Sequence, residues 1–310
     1  MTALSIAFRT SRISSAPIRV GIRAFSSTVK ASKMKVVPVL VSADNYAYLL
    51  IDEPTGKAAV VDVLDVEKVQ AVADKEGVSI VAGITTHHHQ DHSGGNKAYT
   101  GAQRAPLIYT IDIVKFTLIP FKVSTYPSIP VYGGFDVPAK TDLVEDGGEF
   151  TVGDNIHVRC LATPCHTKDS ICFHVTDTSN KSQSGGVFTG DTLFLGGCGR
   201  FFEGTAEQMH TSLSKLATLP DNTVVYNGHE YTAGNVAFAK TIEPDNPAIG
   251  RLFKLAQENK VTTGLSTIGD EKEWNVFMRL DKDAIKRVTG AEEPGAVMNK
   301  LRELKNNFRG

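Results

Sequence analysis

Residues 86–92 read Thr-His-His-His-Gln-Asp-His and follow directly on the apolar run Val81-Ala82-Gly83-Ile84-Thr85. The pairing is restrictive. A fold that buries the run as a strand must set His87, His89, Asp91 and His92 together at its end. Imidazole nitrogen and carboxylate oxygen suit zinc or iron, and four such donors in six positions can serve two ions. A solvated histidine loop is the bland alternative, and the internal position behind an apolar strand argues against it. A helical zinc-protease motif is excluded, because His89 stands where the general-base Glu between His88 and His92 is required.

At 310 residues the chain can bury a large core, as one large domain or two ordinary ones. A net charge of −1 gives no bias towards nucleic acid or an anionic membrane, and neither is expected as a partner. That total conceals an asymmetry. Residues 1–33 hold Arg9, Arg12, Arg19, Arg23, Lys30 and Lys33 and no acid, so the remainder carries −7. The leader is also rich in Ser and Thr and lacks a long apolar core, which is the composition of a mitochondrial transit peptide. A matrix location is expected, with a cytosolic form if translation starts at Met34. The most apolar stretch, from Leu107 to Phe121, carries Asp112 and Lys115 and is no membrane span. Cys160, Cys165, Cys172 and Cys198 show no zinc-ribbon or CxxC spacing, which fits free thiols in a reducing compartment.

Alternating apolar runs at 36–41, 46–51 and 58–63 predict hairpin-connected strands, and 65–76 has helical periodicity closed by Gly77. Further strands are predicted at 156–161, 171–175, 187–189 and 223–226. Thr205 and Gln208 have capping-box spacing and open a helix to about Leu219. Beyond Gly228 the pattern turns helical, at 235–242, 248–259 and 296–308. The chain divides into the leader (1–33), a β-rich α/β catalytic domain (34–230) and a smaller helical domain (231–310).

Three more sites share the heptad's local grammar of apolar strand, turn, then metal-capable side chain. They are His166 after 156–161, Asp191 after Val187-Phe188, and His229 after Val224-Val225-Tyr226. Loops at strand ends can bring such residues to one edge of a sheet scaffold. The set Thr-His-x-His-x-Asp-His, His166, Asp191 and His229 resembles the metallo-β-lactamase superfamily. Thr163-Pro164-Cys165-His166-Thr167, Gly190-Asp191-Thr192-Leu193-Phe194, Phe202-Glu203-Gly204-Thr205-Ala206 and Gly228-His229-Glu230-Tyr231-Thr232 narrow it to the glyoxalase II, or hydroxyacylglutathione hydrolase, family. The resemblance covers roughly residues 34–310.

The resemblance implies an αββα sandwich followed by a small α-helical domain. It implies one metal on His87, His89 and His166, a second on Asp91, His92 and His229, and Asp191 bridging them. Two divalent ions follow, zinc first, with iron and manganese also compatible. A shared water of lowered pKa would then be the nucleophile, with Asp91 and Asp191 as the catalytic carboxylates. The implied substrate is an S-(2-hydroxyacyl)glutathione, chiefly S-D-lactoylglutathione, cleaved to glutathione and D-lactate in the second step of methylglyoxal detoxification. Arg200, Phe201, Phe202, His229, Tyr231, Arg302 and Lys305 match the family's substrate-binding positions. Cys198 is read as packing and not as a nucleophile, and a monomer is expected. The alternative reading is a mitochondrial glutathione-persulfide dioxygenase, which uses a single iron.

Four departures from the family pattern stand out. Arg200 and Phe202 replace a common Lys and Tyr; the missing hydroxyl is worth of order 1 kcal/mol if it is a lost hydrogen bond. Thr167-Lys168-Asp169-Ser170 replaces a Thr-x-Gly-His turn, and Val63 follows Asp62 where Pro is usual. The stretch from about Thr100 to Ser124 has no counterpart. It is either a surface lobe or translated non-coding sequence.

Overall fold

The computed structural model describes residues 33–100, 109–112, 117–120 and 128–309. The expected transit segment, apart from Lys33, lies outside the described residues, as does most of the unmatched stretch after Thr100. Strands β1 (Met34–Leu40), β2 (Tyr46–Asp52) and β3 (Lys57–Val61) form an antiparallel meander. Helix α1 (Val66–Glu76) carries the chain to β4 (Ser79–Thr85), parallel to β3. Asp65 accepts from Lys68 N to start α1, and Gly77 (φ 70°) ends it in the left-handed conformation. The turns α2 (Gln90–Ser93) and α3 (Asn96–Tyr99) follow. Strands β5 (Tyr109–Asp112) and β6 (Thr117–Pro120) pair only with each other, and β7 (Val131–Gly133) and β8 (Asp142–Leu143) complete a six-stranded sheet in the order β1-β2-β3-β4-β7-β8.

The second sheet begins with the antiparallel β9 (Glu149–Val152), β10 (Ile156–Ala162), β11 (Ile171–Asp177) and β12 (Gly186–Gly190). A hairpin of β13 (Leu193–Phe194) and β14 (Gly197–Cys198) precedes α4 (Ala206–Leu216), which carries the expected Thr205–Gln208 capping box. Strand β15 (Val224–Asn227) then joins β12 in parallel. The remaining helices are α5 (Thr232–Ile242), α6 (Pro247–Glu258), α7 (Ile268–Trp274), α8 (Asp283–Thr289) and α9 (Pro294–Asn307).

Period-2 alternation builds the layers. On β2, Tyr46, Tyr48 and Leu50 meet Ile156, Val158, Phe173 and Phe188 between the sheets. Ala47, Leu49 and Ile51 face the other way, under Val69 and Ala73 of α1. The outer face of the second sheet packs Leu161, Val187 and Val225 against Met209 and Leu213 of α4. The result is the expected αββα sandwich. That outer core runs on without a break into Phe238, Phe277, Met298 and Leu301, so the C-terminal helices share it with α4. The described residues from Lys33 onward form one compact unit.

Two details set up the site. β10, β12 and β15 run in one direction, so His166, Asp191 and His229 leave their sheet at the same edge. At that edge Tyr46 N donates to Gly228 O (2.9 Å) and Glu230 N to Asp44 O (2.7 Å), which ties the first sheet to the second. Elsewhere, Ile129 N donates to Tyr99 O (3.0 Å), so the chain returns after the unmatched stretch to the point it left.

Candidate metal centre

All seven predicted donors converge. His87 Nε2 and His166 Nε2 each lie 3.1 Å from His89 Nδ1, which defines an all-histidine triad. His229 Nε2 lies 3.2 Å from His92 Nε2 and 3.3 Å from Asp91 Oδ2, which defines a second triad. Asp191 stands between them, with Oδ1 3.4 Å from His92 Nε2, and Oδ2 3.5 Å from His166 Nε2 and 3.4 Å from His229 Nε2. Within each of the groups His87–His89–His166, Asp91–His92–His229 and His87–His92–Asp191, the donor atoms lie within 4.8 Å of one another.

Hydrogen bonds around the rim fix which nitrogen faces inward. His92 Nδ1 donates to Asp62 Oδ2 (3.0 Å), His166 Nδ1 to the Arg200 carbonyl (3.0 Å) and His229 Nδ1 to Asp44 Oδ1 (3.2 Å). The Thr86 hydroxyl donates to Asp62 (2.8 Å) and accepts from His87 Nδ1 (3.0 Å). Each Nε2 is left facing the centre, where it needs an extra proton or a cation. Burial and mutual repulsion push His87 well below the usual imidazole range, and His89 and His166 fall as well. That triad is therefore three neutral lone pairs aimed at one point. In the other, burial opposes the charge, but Asp191, Asp91 and Asp44 outweigh it and push His229 up to about 10. The hydrogen bond from His229 holds Asp91 well below the carboxylate range. Asp191 Oδ1 is buried with no hydrogen-bond partner among the described residues. Crowded lone pairs and an unpartnered carboxylate oxygen are what a cation resolves, and the arrangement fits a binuclear metal site.

The centre opens into a cavity of about 540 Å³, lined by His166 and Asp191 at one end and by Arg200, Phe202, Tyr231, Arg302 and Lys305 further out. Tyr231 stacks on His229 with ring centroids 4.9 Å apart, and Phe202, 60% exposed, is tilted against His166 at 5.2 Å. Arg302 Nη1 donates to the Cys198 carbonyl (2.9 Å) and Lys305 Nζ to the Gly234 carbonyl (2.7 Å). Burial and the neighbouring Arg302 lower Lys305 to about 8. Phe201 is absent from this lining; it packs against the core shared with α4 and the C-terminal helices and lines a neighbouring cavity with Arg200, Phe202 and Arg302. The Cys198 thiol is pushed up to about 11 by burial, which makes it a poor nucleophile.

Comparison with known proteins places the chain in a family. Residues 43–229 match the metallo-beta-lactamase superfamily, and residues 230–308 match the hydroxyacylglutathione hydrolase C-terminus. The chain is 43% identical over 283 residues to the cytoplasmic hydroxyacylglutathione hydrolase of Arabidopsis thaliana, covering 89% of this chain and 100% of that one. The chain belongs to the hydroxyacylglutathione hydrolase family. A probable hydroxyacylglutathione hydrolase of Schizosaccharomyces pombe, glo2, is 41% identical over 86% of this chain and 94% of its own length. Among solved structures, ETHE1 from Myxococcus xanthus superposes with a TM-score of 0.55 at 25% identity, covering 88% of this chain and 91% of its own. A Staphylococcus aureus metallo-beta-lactamase (TM-score 0.56, 23% identity, 89% and 72% covered) shares the fold.

In this hydroxyacylglutathione hydrolase family member the heptad is not extended. The chain bends at 86–88, and His89 is the residue before the helical turn α2, which carries Asp91 and His92. His87 and His89 still face the same centre. His88 points away to Asp169 Oδ1 (2.8 Å) and belongs to neither triad. Two supporting carboxylates were not foreseen, Asp62 and Asp44. Asp62 follows the apolar strand β3 and so carries the same signal as the donors; Asp44 sits in a short loop with none. Close packing also dictates two glycines. A Cβ at Gly228 would collide with the Asp191 carboxylate and the His92 ring, and one at Gly190 (φ +46°) with Thr86.

Proposed function

We propose that the chain hydrolyses S-(2-hydroxyacyl)glutathione thioesters, S-D-lactoylglutathione foremost, to glutathione and the 2-hydroxy acid. The observation that carries this reading is the opening of the metal centre into the cavity that Arg302 and Lys305 also line. His87, His89 and His166 would hold one divalent ion, and Asp91, His92 and His229 the other, with Asp191 shared. Zinc is the first choice for both, and iron and manganese suit the same donors. Bound divalent ions supply Lewis acidity and acidify a water near neutral pH. The chain's own side chains supply recognition. Glutathione carries two carboxylates, which the cations Arg200, Arg302 and Lys305 complement. Tyr231 and Phe202 wall the path between those cations and the imidazoles. A thiolate is a good leaving group, so its departure needs no strong acid from the cavity wall.

The test is metal content and thioester hydrolysis on purified protein. Asp191→Ala should lose metal and nearly all turnover, while Arg302→Ala with Lys305→Ala should chiefly raise KM. Full activity in metal-free protein would overturn the reading. A persulfide dioxygenase with one iron leaves the triad Asp91–His92–His229 without a task; assays on persulfide and thioester side by side separate the two. We read the working unit as a monomer, since both triads and the cavity are built within one chain, and sedimentation would test it. The acid-free basic leader supports delivery to the mitochondrial matrix. A reporter fused to residues 1–33 should enter mitochondria, and one on a chain starting at Met34 should stay in the cytosol.

A further inference from the structure

The hairpin β13–β14 is the chain's only route from Asp191 to Arg200, whose carbonyl orients His166 (3.0 Å). Its position therefore bears on the shared carboxylate and on one imidazole of the all-histidine triad. A two-stranded hairpin this short has little stability of its own, so whatever grips it sets its place. The C-terminal helices do the gripping. Fully buried Glu271 of α7 accepts from Gly196 N (2.9 Å), from the Ser266 hydroxyl (2.6 Å) and from Asn275 Nδ2 (2.9 Å). Asn275, just past α7, donates onward to Gly197 O (3.0 Å). Asn235 of α5 donates to Leu195 O (3.1 Å) and Arg302 of α9 to Cys198 O (2.9 Å). Backbone groups of four consecutive residues, Leu195 to Cys198, are thus bonded to side chains from three helices.

We propose that Glu271, with Asn275, is a positioning residue for the metal centre, so that the helical segment holds the donors in place as well as walling the substrate cavity. This rests on the metal-centre reading of Asp191 and His166. Gly196 N and Asn275 Nδ2 both need Glu271 Oε2 as their acceptor, while the Ser266 hydroxyl on Oε1 can donate or accept. An amide has one acceptor oxygen where the carboxylate has two, so Glu271→Gln can serve Gly196 N and Asn275 Nδ2 only by turning its N–H to Ser266, which weakens the hold on the hairpin tip without altering side-chain size.

The test is the rate at which metal-loaded protein gives up its ions to excess chelator, alongside Tm. Partners outside the metal's own donors are commonly worth about ten- to a hundredfold in metal affinity. Glu271 acts at one further remove, so Glu271→Gln should release metal about tenfold faster, and Asn275→Ala should do the same. Arg279→Ala breaks the Arg279–Glu243 pair within the helical segment (2.9 Å) away from the hairpin, and should lower Tm without speeding release. If Glu271→Gln fails to fold, Asn275→Ala decides. Wild-type release rates in Glu271→Gln and Asn275→Ala, or equal acceleration in Arg279→Ala, would overturn the proposal. A wild-type protein that retains no metal would sink the metal-centre reading and this one with it.

Discussion

A single carboxylate, Asp62, holds both ends of the histidine heptad. It accepts from Thr86 N (2.7 Å), the Thr86 hydroxyl (2.8 Å) and His92 Nδ1 (3.0 Å), and does so from a left-handed backbone (φ 54°). Asp62→Asn would turn an amide N–H towards one of these donors, and a loss of metal affinity of about ten- to a hundredfold is expected by chelator competition. Lys305 yields a second prediction. Its charge is present below about 8 and lost above it, so KM for an anionic thioester should climb as pH rises through that value. Lys305→Arg, charged throughout, should flatten the climb; an unchanged profile would separate Lys305 from substrate binding. At this scale the sequence conveyed position better than role. Asp62 and Asp191 both follow apolar strands, and only the fold makes the first a support and the second a shared donor.

Among the elements, most of those predicted are long enough to show a period, while the short β12 and β15 showed only as apolar runs. Strands β10 and β11 alternate over much of their seven residues, β2 and β3 are almost continuous apolar runs, and α1 carries both of its caps in the sequence. Helices α7 and α8, seven residues each, are too short for periodicity to register. The capping box Thr267–Asp270 marked the start of α7 and was the one signal available. That short helix nevertheless carries a buried acid. Burial raises Glu271 from 4.5 to about 7, against the hydrogen bonds it accepts. The unfolded chain therefore gives up this proton near pH 4.5, while the folded chain keeps it until about 7. Stability from this group is full below 4.5 and falls as pH rises through the interval, by on the order of 3 kcal/mol. Glu271→Gln should remove that slope: the Tm difference between variant and wild type should move in the variant's favour from pH 4.5 to 7. Parallel melting curves across the range would contradict it.

For the molecule as a whole, the continuous core explains why composition did not reveal how the helical segment sits. Phe238, Phe277 and Leu301 of the C-terminal segment pack in one core with Met209 and Leu213 of α4. The unmatched stretch after Thr100 behaves in the opposite way. Tyr99 and Ile129 meet by a backbone hydrogen bond and pack in the cluster under α1, and the described residues between them contribute no donor to either triad. Loop closure depends weakly on length, roughly 0.6 kcal/mol per doubling. Replacing residues 101–127 by a short Gly-Ser linker should therefore leave metal content and thioester hydrolysis intact and shift stability by no more than about 1 kcal/mol. A chain that no longer folds, or loses its ions, would show the stretch to be integral. The Tyr99–Ile129 contact also has a practical side. It is a clasp at which foreign sequence can be spliced, so a reporter or affinity tag inserted there would be carried as a passenger, with every donor still at its strand end.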